Sequence, residues 1–190
     1  MTSTHNRCFL IRHGDTEWSR SRRHTGRTDM PLLPGAEHQL AAVRRLLEGV
    51  NLAAVFTSPL QRARQTTAHL GLDTEEEIVE DLAEWDYGAY EGRTTVDIRR
   101  ERPKWNLFND GAPEGENLAD VTRRVDRVLA RIRAVPGDVA CVAHAHLLRV
   151  LAARWLGLDA EGGRYFVLGA ASISELGWER EQPVVVAWNQ

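Results

Sequence analysis

The stretch Cys8–Gly14, CFLIRHG, decides the fold, because it runs from an apolar segment directly into three residues suited to chemistry. Its four apolar residues, Cys8–Ile11, are typical of a buried β-strand. The strand is followed by Arg12, His13 and Gly14, which supply a guanidinium, an imidazole and a residue that allows a tight turn. Two similar junctions occur further along the chain, and together they predict strand ends that share one site.

The second junction leads from an apolar run, Ala53–Thr57, into the sequence SPLQR. Ser58 has the chemistry of a helix N-cap, and Pro59 is favoured in a first helical turn, so a helix is predicted from Pro59 onward. Arg62 then lies near the start of this helix, just beyond the strand, while Arg64 faces elsewhere.

The third junction is the apolar run Val139–Ala143, which is followed by His144. In α/β folds the ligand binds beyond the carboxyl ends of the strands. The three junctions therefore predict that four side chains converge on one small space: Arg12, His13, Arg62 and His144. Guanidinium groups match phosphate or carboxylate oxygens, and a neutral imidazole can act as a nucleophile.

Apolar periodicity predicts further helices and strands around these junctions. The predicted helices are Gly35–Glu48, Leu118–Ile132 and Leu147–Leu156, and the predicted late strands, at or near a sheet edge, are Ala171–Trp178 and Val184–Trp188. The acidic run from Asp73 to Glu77 is expected to be a solvated loop. Alternating strands and helices predict a three-layer α/β/α fold with a mostly parallel central sheet.

One aromatic segment, about residues 85–117, breaks this alternation and contains several glycines and prolines. We expect it to be an inserted lid that covers one end of the sheet. With this insertion, residues 1–190 are predicted to form a single domain.

Composition narrows the class of protein. Of 190 residues, 43% are apolar, and 24 basic against 27 acidic residues give a net charge of −3. These values argue against a disordered chain and against a general nucleic-acid binder. Twenty-three of the basic residues are arginine, and Lys104 is the one lysine.

A cytoplasmic location is expected. No apolar stretch approaches the ~20 residues of a membrane span. Cys8 and Cys141 lie in short apolar runs and form no disulfide framework, which suits free thiols in a reducing compartment. The expected partner is a small-molecule substrate, and neither nucleic acid nor a membrane is expected as a partner. A homodimer is also compatible with the sequence, because an edge strand near Val184 could pair with a second copy.

A metal centre is the main alternative reading of the histidines. His144 and His146 form an H-x-H pair, and His13 and Asp15 form an H-x-D pair. Further ligands are not evident, and Arg149 close to the H-x-H pair disfavours a cation. Nucleotide-binding glycine motifs are also lacking after the first strand. The sequence therefore predicts neither a metal nor a cofactor.

Five segments, in order along the chain, resemble the histidine phosphatase superfamily, the phosphoglycerate mutase-like enzymes. They are Phe9–Trp18 (FLIRHGDTEW), Thr25–Gly26 with Asp29–Gly35, Thr57–Thr67 (TSPLQRARQTT), Leu82–Gly92 (LAEWDYGAYEG) and Val142–Leu151 (VAHAHLLRVL).

The resemblance implies a role for each matched residue. His13 is the nucleophile that becomes a phosphohistidine, and Glu84 is the proton donor to the leaving group. Arg12, Arg62 and His144 grip the phosphoryl group, and two guanidiniums with a protonated imidazole supply up to three positive charges. Expected substrate contacts are Ser19, Thr25, Gly26, Tyr87, Lys104 and Ala145.

The residues alone do not single out Glu84. It is one of eight acidic side chains between Asp73 and Asp86, and Asp86 is its nearest competitor. Only the resemblance, through the following Tyr87-Gly88, selects it.

The resemblance favours the phosphatase branch over the mutase branch. The mutases have an asparagine where this chain has Ser19 and a basic residue where it has Trp85. We therefore expect a metal-independent phosphatase for a small phosphorylated metabolite, such as a sugar phosphate. A phosphoglycerate mutase and a catalytically silent phosphate binder are the alternatives. Asn109 replaces a basic residue of some bisphosphatases, so no second phosphate site is predicted there.

A basic cluster follows the nucleophile: Arg20, Arg22, Arg23 and Arg27. At least two of these side chains are expected to be merely solvated. The functional interpretation is a positive lip that steers anionic substrates toward the site.

Overall fold

The computed structural model describes residues 5–190, and its six strands form one sheet. The strands are Cys8–Arg12 (β1), Leu52–Thr57 (β2), Glu76–Ile78 (β3), Asp138–Ala143 (β4), Ile173–Glu179 (β5) and Gln182–Ala187 (β6). Their order is β3-β2-β4-β1-β5-β6. The first four of these are mutually parallel, whereas β5 and β6 join antiparallel. The predicted α/β class with a mostly parallel sheet is confirmed, and β6 lies at an edge.

Helices cover both faces of this sheet. They are Glu17–Arg20 (α1), Ala36–Gln39 (α2), Ala41–Leu46 (α3), Gln61–Leu70 (α4), Thr95–Glu101 (α5), Leu107–Asp110 (α6), Leu118–Ala134 (α7) and Ala145–Trp155 (α8). Short 3₁₀ helices occur at Glu80–Leu82, Gly88–Tyr90 and Ala160–Tyr165. Within residues 5–190, every helix is too short or too polar to cross a membrane.

Alternation along β1 divides the core in two, because successive strand residues point to opposite faces. Cys8 and Leu10 belong to a cluster with the buried side of α7 and α8. Phe9 and Ile11 belong to a second cluster with residues of α3 and α4. Burial of each aliphatic side chain contributes about 1.5–3 kcal/mol to the stability of the fold. The two clusters therefore hold β1, and with it the residues that follow Ile11, in a fixed position.

The aromatic segment 85–117 packs as part of the first core cluster. Trp85, Trp105 and Phe108 are each at most 5% exposed. The Trp85 indole N–H donates to the Glu116 carbonyl (2.9 Å), and that of Trp105 donates to the Gly111 carbonyl (3.0 Å). The segment therefore forms a fixed wall beside the strand ends. The single-domain division of the chain remains a prediction.

Two local predictions differ from the structure. The predicted helix Gly35–Glu48 is interrupted at Leu40, which ends α2 with a tighter turn and begins α3. The acidic run expected as a loop contributes Glu76 and Glu77 to the edge strand β3, which pairs with β2. An edge strand with exposed side chains tolerates glutamates that a central strand would exclude.

The start of α4 also differs from the prediction. The helix begins at Gln61, two residues after Pro59, and Leu60 is its N-cap residue. Its first amide is capped from a distant loop, because the Gln61 N–H donates to Asp29 Oδ1 (2.8 Å). Ser58 Oγ accepts only a long hydrogen bond from the Leu60 N–H (3.4 Å) and is 2.7 Å from His144 Nε2 in the site.

Candidate active site

His13 lies at the junction between β1 and its neighbours, and its backbone is held on two sides. Its N–H donates to the Ala143 carbonyl, and its own carbonyl accepts from the Ala171 N–H, each at 3.0 Å. The ring Nδ1 lies 2.7 Å from the Gly14 carbonyl oxygen. A carbonyl only accepts, so Nδ1 carries the hydrogen and Nε2 presents a free lone pair.

The surroundings of His13 keep its ring neutral. The side chain is 5% exposed. Burial lowers its pKa well below the usual value, and the nearby cations of Arg62 and Arg12 lower this pKa further. A neutral imidazole with a free Nε2 is the form required of a nucleophile.

Arg12, the last residue of β1, lines the cavity above His13. Its Nη1 donates to the Leu168 carbonyl, which fixes the guanidinium in place. Its buried Nε has no hydrogen-bond partner within residues 5–190. Burial lowers the pKa of Arg12, although Glu84 acts in the opposite direction. A cation with an unfilled donor suits a phosphoryl oxygen.

Arg62, in the first turn of α4, is fully buried. Its Nη1 donates to the Thr28 carbonyl, and its Nη2 donates to the carbonyls of Thr25 and Gly26. Its Nε donates to His144 Nδ1 (3.1 Å). Four of the five guanidinium N–H groups therefore bind protein atoms, so Arg62 organises the 25–28 loop and leaves one N–H group without a protein partner.

His144, the residue after β4, departs from one expectation. Because Arg62 donates to Nδ1, the ring hydrogen is on Nε2, which donates to Ser58 Oγ (2.7 Å). Burial lowers the pKa of His144 well below its usual value, and Arg62 adds to this effect. The ring is therefore neutral rather than protonated, and the site has two guanidiniums instead of three cations. Its centroid lies 5.1 Å from that of His13.

Glu84 reaches the site from the aromatic segment and contacts the start of α8. Oε1 accepts from the N–H groups of Trp85 (2.9 Å) and Leu147 (3.0 Å), and Oε2 accepts from the His146 N–H (3.1 Å). The N-terminus of a helix favours negative charge, which explains this placement. Asp86, its competitor in the sequence, instead pairs with Arg27 (2.6 Å).

A cavity of about 600 Å³ connects these groups, a size suited to a small metabolite. Arg12, His13 and Glu84 line this cavity, whereas Arg62 and His144 are fully buried and do not line it. Four predicted substrate contacts also line it: Ser19, Thr25, Tyr87 and Ala145. The other lining residues are Arg22, Arg23, His24, Thr95, His146, Arg149, Phe166, Val167, Leu168 and Gly169.

Two predicted substrate contacts lie elsewhere. Gly26 is packed beneath the site, where a Cβ would come within 2.5 Å of the Trp85 carbonyl oxygen, so only glycine fits. Lys104 is exposed and lines a separate surface pocket with Arg102 and Asp110. Position within the aromatic segment was not enough to locate Lys104, because the side chains that face the cavity depend on how this segment folds back.

Among the cavity residues that were not predicted, three are ionisable: His24, His146 and Arg149. The Tyr87 hydroxyl and His146 Nδ1 form a hydrogen bond (2.6 Å), and the His24 ring is tilted against the Tyr87 ring with 4.7 Å between their centroids. Burial lowers the pKa of His24 to about 4 and that of His146 well below its usual value. Arg149 follows His146 by three residues on α8, and this helical spacing is the signal that indicates a shared face.

The metal alternative has little geometric support. Both ring nitrogens of His144 are engaged by Arg62 and Ser58, and His146 Nδ1 is engaged by Tyr87. In the described part of the chain, no three His, Cys, Asp or Glu side chains form a group that could hold a metal ion.

Comparison with known proteins agrees with this geometry. A family model described as the histidine phosphatase superfamily (branch 1) matches residues 8–190. An acid phosphatase of Mycobacterium tuberculosis is 39% identical over 178 residues, covering 92% of this chain and 87% of that protein. Sedoheptulose 1,7-bisphosphatase of Saccharomyces cerevisiae is 36% identical over 194 residues, covering 85% of this chain and 71% of that protein. A solved structure of a Mycobacterium tuberculosis open reading frame has a TM-score of 0.90 at 35% identity, covering 97% of both chains.

Proposed function

The chain belongs to the histidine phosphatase superfamily, and from this premise we propose that it hydrolyses a small phosphorylated metabolite, without a metal, through a phosphohistidine on His13. One observation carries this proposal. The contact between His13 Nδ1 and the Gly14 carbonyl fixes the tautomer whose Nε2 is free to attack.

In the first step, the His13 Nε2 lone pair attacks phosphorus as the bond from phosphorus to the ester oxygen breaks. Arg12, with the remaining N–H group of Arg62, stabilises the charge on the equatorial oxygens. The Glu84 carboxyl group gives its proton to the departing oxygen, and the alcohol leaves.

In the second step, water attacks the phosphohistidine. The Glu84 carboxylate takes a proton from this water, the bond from nitrogen to phosphorus breaks, and inorganic phosphate leaves. The hydrogen bonds indicate which oxygen carries the proton. Oε1 already accepts two N–H groups and has no lone pair left, so protonation occurs on Oε2.

The name of one relative, sedoheptulose 1,7-bisphosphatase, supports sugar phosphates as the substrate class, and that of the acid phosphatase supports phosphate esters in general. Ser19 and Trp85, the two residues that differ from the mutase branch, lie in or near the site. Ser19 lines the cavity with its hydroxyl engaged by Asp15, and Trp85 is wholly buried where the mutases have a basic residue. Both residues depart from the mutase pattern, which supports a phosphatase rather than a mutase.

The test is a panel of phosphorylated metabolites assayed for phosphate release, with isomerisation of 3-phosphoglycerate measured in parallel. Hydrolysis that persists in chelator and is lost in His13→Ala supports the proposal. Mutase flux above the rate of hydrolysis would identify a mutase instead. Binding of these compounds without phosphate release or phosphoenzyme would identify a silent binder.

A cytoplasmic location is part of the proposal. It is supported by the two buried free thiols, Cys8 and Cys141, whose sulfurs lie 3.9 Å apart without a bond between them. A reducing compartment maintains such a pair as thiols.

A further inference from the structure

Arg12 is held by fewer contacts than the other arginine of the site. Within residues 5–190 its guanidinium makes one hydrogen bond, from Nη1 to the Leu168 carbonyl (2.5 Å), and its buried Nε has no partner. Arg62, in contrast, binds protein atoms through four N–H groups. A long side chain has many rotamers, so the position of the Arg12 guanidinium depends on where the Leu168 carbonyl lies.

Leu168 belongs to the loop 166–172, which connects the 3₁₀ helix Ala160–Tyr165 to β5. Its side chain is buried in the first core cluster. The loop contains no helix or strand, so its backbone groups need partners from elsewhere in the fold. One of these partners is the start of the site itself, because the Ser172 carbonyl accepts from the Arg12 N–H (3.0 Å).

Two consecutive residues after β6, Trp188 and Asn189, bind the two peptide groups that flank Leu168, and we call them the anchor pair. The Trp188 indole N–H donates to the Val167 carbonyl, and Asn189 Oδ1 accepts from the Gly169 N–H, each at 2.6 Å. The anchor pair therefore holds the loop on both sides of the residue that contacts Arg12.

The Asn189 contact reaches Arg12 through a single peptide group. In a trans peptide the C=O and the N–H point to opposite sides. The Leu168–Gly169 peptide directs its carbonyl to Arg12 and its N–H to Asn189. A hydrogen bond to this N–H fixes the peptide plane and polarises the carbonyl, which strengthens the carbonyl as an acceptor for Arg12.

Asn189 is itself fixed to β5. Its N–H donates to Ser174 Oγ (3.0 Å), and the backbone of the following residue, Gln190, pairs with that of Ile173 (3.0 and 3.1 Å). Asn189 has a φ of 55°, a left-handed conformation in which asparagine and aspartate are enriched. The backbone therefore holds the Asn189 amide where it meets the loop.

We propose that Trp188 and Asn189 are positioning residues for Arg12, which act through the peptide groups on either side of Leu168. Neither member of the anchor pair lines the main cavity, so their effect on the reaction is indirect. This inference rests on the proposed function, in which Arg12 binds the phosphoryl group.

The test variant combines Trp188→Phe with Asn189→Gly. Phenylalanine keeps an aromatic ring against Phe166, which lies 4.8 Å from the Trp188 ring between centroids, but lacks the N–H donor. Glycine keeps the positive φ but lacks the acceptor. Binding of inorganic phosphate, measured by calorimetry, should weaken about tenfold, and kcat/KM for p-nitrophenyl phosphate should fall by a similar factor.

A double-mutant cycle with Arg12→Met shows whether the anchor pair acts through Arg12. Arg12→Met alone should weaken phosphate binding by more than the anchor-pair variant does. In the Arg12→Met background the anchor-pair substitutions should have no further effect, since the group they position is missing. An equal loss of affinity in both backgrounds would overturn the inference, and so would an anchor-pair variant with unchanged phosphate affinity.

Ser174→Ala is the matched control, because it removes the hydrogen bond to the Asn189 backbone and leaves both contacts to the loop. It should lower the melting temperature and keep the wild-type phosphate affinity. A loss of affinity equal to that of the anchor-pair variant would assign the effect to stability and overturn the inference.

Asn189→Asp is the conservative variant. It supplies the same acceptor oxygen and tolerates the positive φ, so phosphate affinity should stay within about threefold of the wild type. If the combined variant fails to fold, Asn189→Gly alone enters the same cycle, with a smaller expected loss.

Turnover separates failure of this inference from failure of the proposed function. If p-nitrophenyl phosphate is hydrolysed through phosphorylated His13 while the anchor-pair variant binds phosphate like the wild type, only the role of the anchor pair is wrong. If the wild-type protein binds phosphate but hydrolyses no phosphate ester, the proposed function fails, and the cycle in phosphate affinity still decides the role of the anchor pair. A wild-type protein that binds no phosphate would overturn both.

Discussion

Glu84 is the residue whose role is most sharply defined by its hydrogen bonds. Three backbone N–H groups hold its carboxyl group at the start of α8 and leave one lone pair, on Oε2, for the proton. Sequence reasoning from charge alone did not separate Glu84 from its acidic neighbours. The contact that distinguishes it joins residues 62 positions apart, which no local pattern encodes.

We expect Glu84→Gln to separate substrates by the basicity of their leaving groups. For a sugar phosphate, kcat/KM should fall about 10²- to 10⁴-fold, because the alkoxide leaves poorly without a proton. For p-nitrophenyl phosphate the fall should be much smaller, since nitrophenolate leaves unprotonated. Steady-state kinetics on both compounds measure the ratio, and Asp86→Asn is the control that should leave this ratio unchanged. Equal losses on both substrates in Glu84→Gln would refute the assignment.

Ser58 is a positioning residue that acts through His144. Ser58→Ala leaves the buried Nε2–H of His144 without its acceptor, which costs about 1–3 kcal/mol and allows the ring to turn. We expect kcat/KM to fall about tenfold, together with a lower melting temperature.

The control for Ser58 is Ser174→Ala, which removes an equally buried hydroxyl from β5, where it accepts the Asn189 N–H. This variant should lose stability and keep kcat/KM. A purely structural role for Ser58 would give the two variants the same kinetics.

Among the elements, those with strong internal patterns were predictable. The strands β1, β2 and β4 and the helix α7 follow from apolar runs and helical spacing, because burial of one face dominates their energetics. The start of α4 was not predictable, since Asp29 caps it from a distant loop. The strand β3 was not predictable either, because its residues are acidic and its stability comes from pairing with β2.

Site residues, like the helices and strands, were predictable where a local sequence pattern places them and not where distant contacts do. The structure brings the predicted residues at the strand ends together, since parallel strands have their carboxyl ends at one edge of the sheet. The neutral state of His144 was not predictable, because it depends on the pairing of Arg62 and Ser58 with the two ring nitrogens. The exposed position of Lys104 depends on the path of the aromatic segment, which has no regular period.

The basic lip extends from the last residue of α1, Arg20, into the following loop, and two of its four arginines, Arg22 and Arg23, line the cavity. We predict that kcat/KM falls as ionic strength rises, because salt screens the attraction of an anionic substrate. The variant for this test is Arg22→Asn with Arg23→Gln. Asparagine suits the positive φ of 58° at position 22.

This double variant should have a lower kcat/KM at low salt and a flatter salt profile. Arg123→Gln with Arg127→Gln on α7 removes the same charge away from the cavity and should keep the wild-type profile. A salt-independent wild-type enzyme would exclude the steering role.

For the whole molecule, a net charge of −3 conceals an uneven distribution. Eleven arginines pair with carboxylates across residues 5–190, while the cavity concentrates guanidiniums around a single glutamate. Neutral histidines also line the cavity. Because their pKa values are lowered in the folded state, the free energy of unfolding depends on pH.

We predict that the free energy of unfolding decreases as the pH falls below about 6.5. The unfolded chain protonates its histidines near that pH. In the folded chain the pKa values of His13, His144 and His146 are well below their usual value and that of His24 is about 4. The unfolded state therefore binds more protons, so stability is present above about pH 6.5 and is lost progressively below it.

Urea unfolding at a series of pH values measures this loss. Between about pH 6 and 5, His24→Gln should reduce the slope by about 1.4 kcal/mol per pH unit, the contribution of one proton. A wild-type stability that is constant from pH 7.5 to 5.5 would contradict the buried neutral histidines.

The most direct measurement is the location of phosphate on the enzyme during turnover. The protein is mixed with a labelled substrate and quenched within one turnover in alkaline detergent, where phosphohistidine survives, and the phosphorylated atom is then identified by peptide mass spectrometry and NMR. We predict phosphate on His13 at Nε2, formed at least as fast as turnover and missing in His13→Ala. Turnover without a phosphoenzyme, or phosphate on a different residue, would contradict the account.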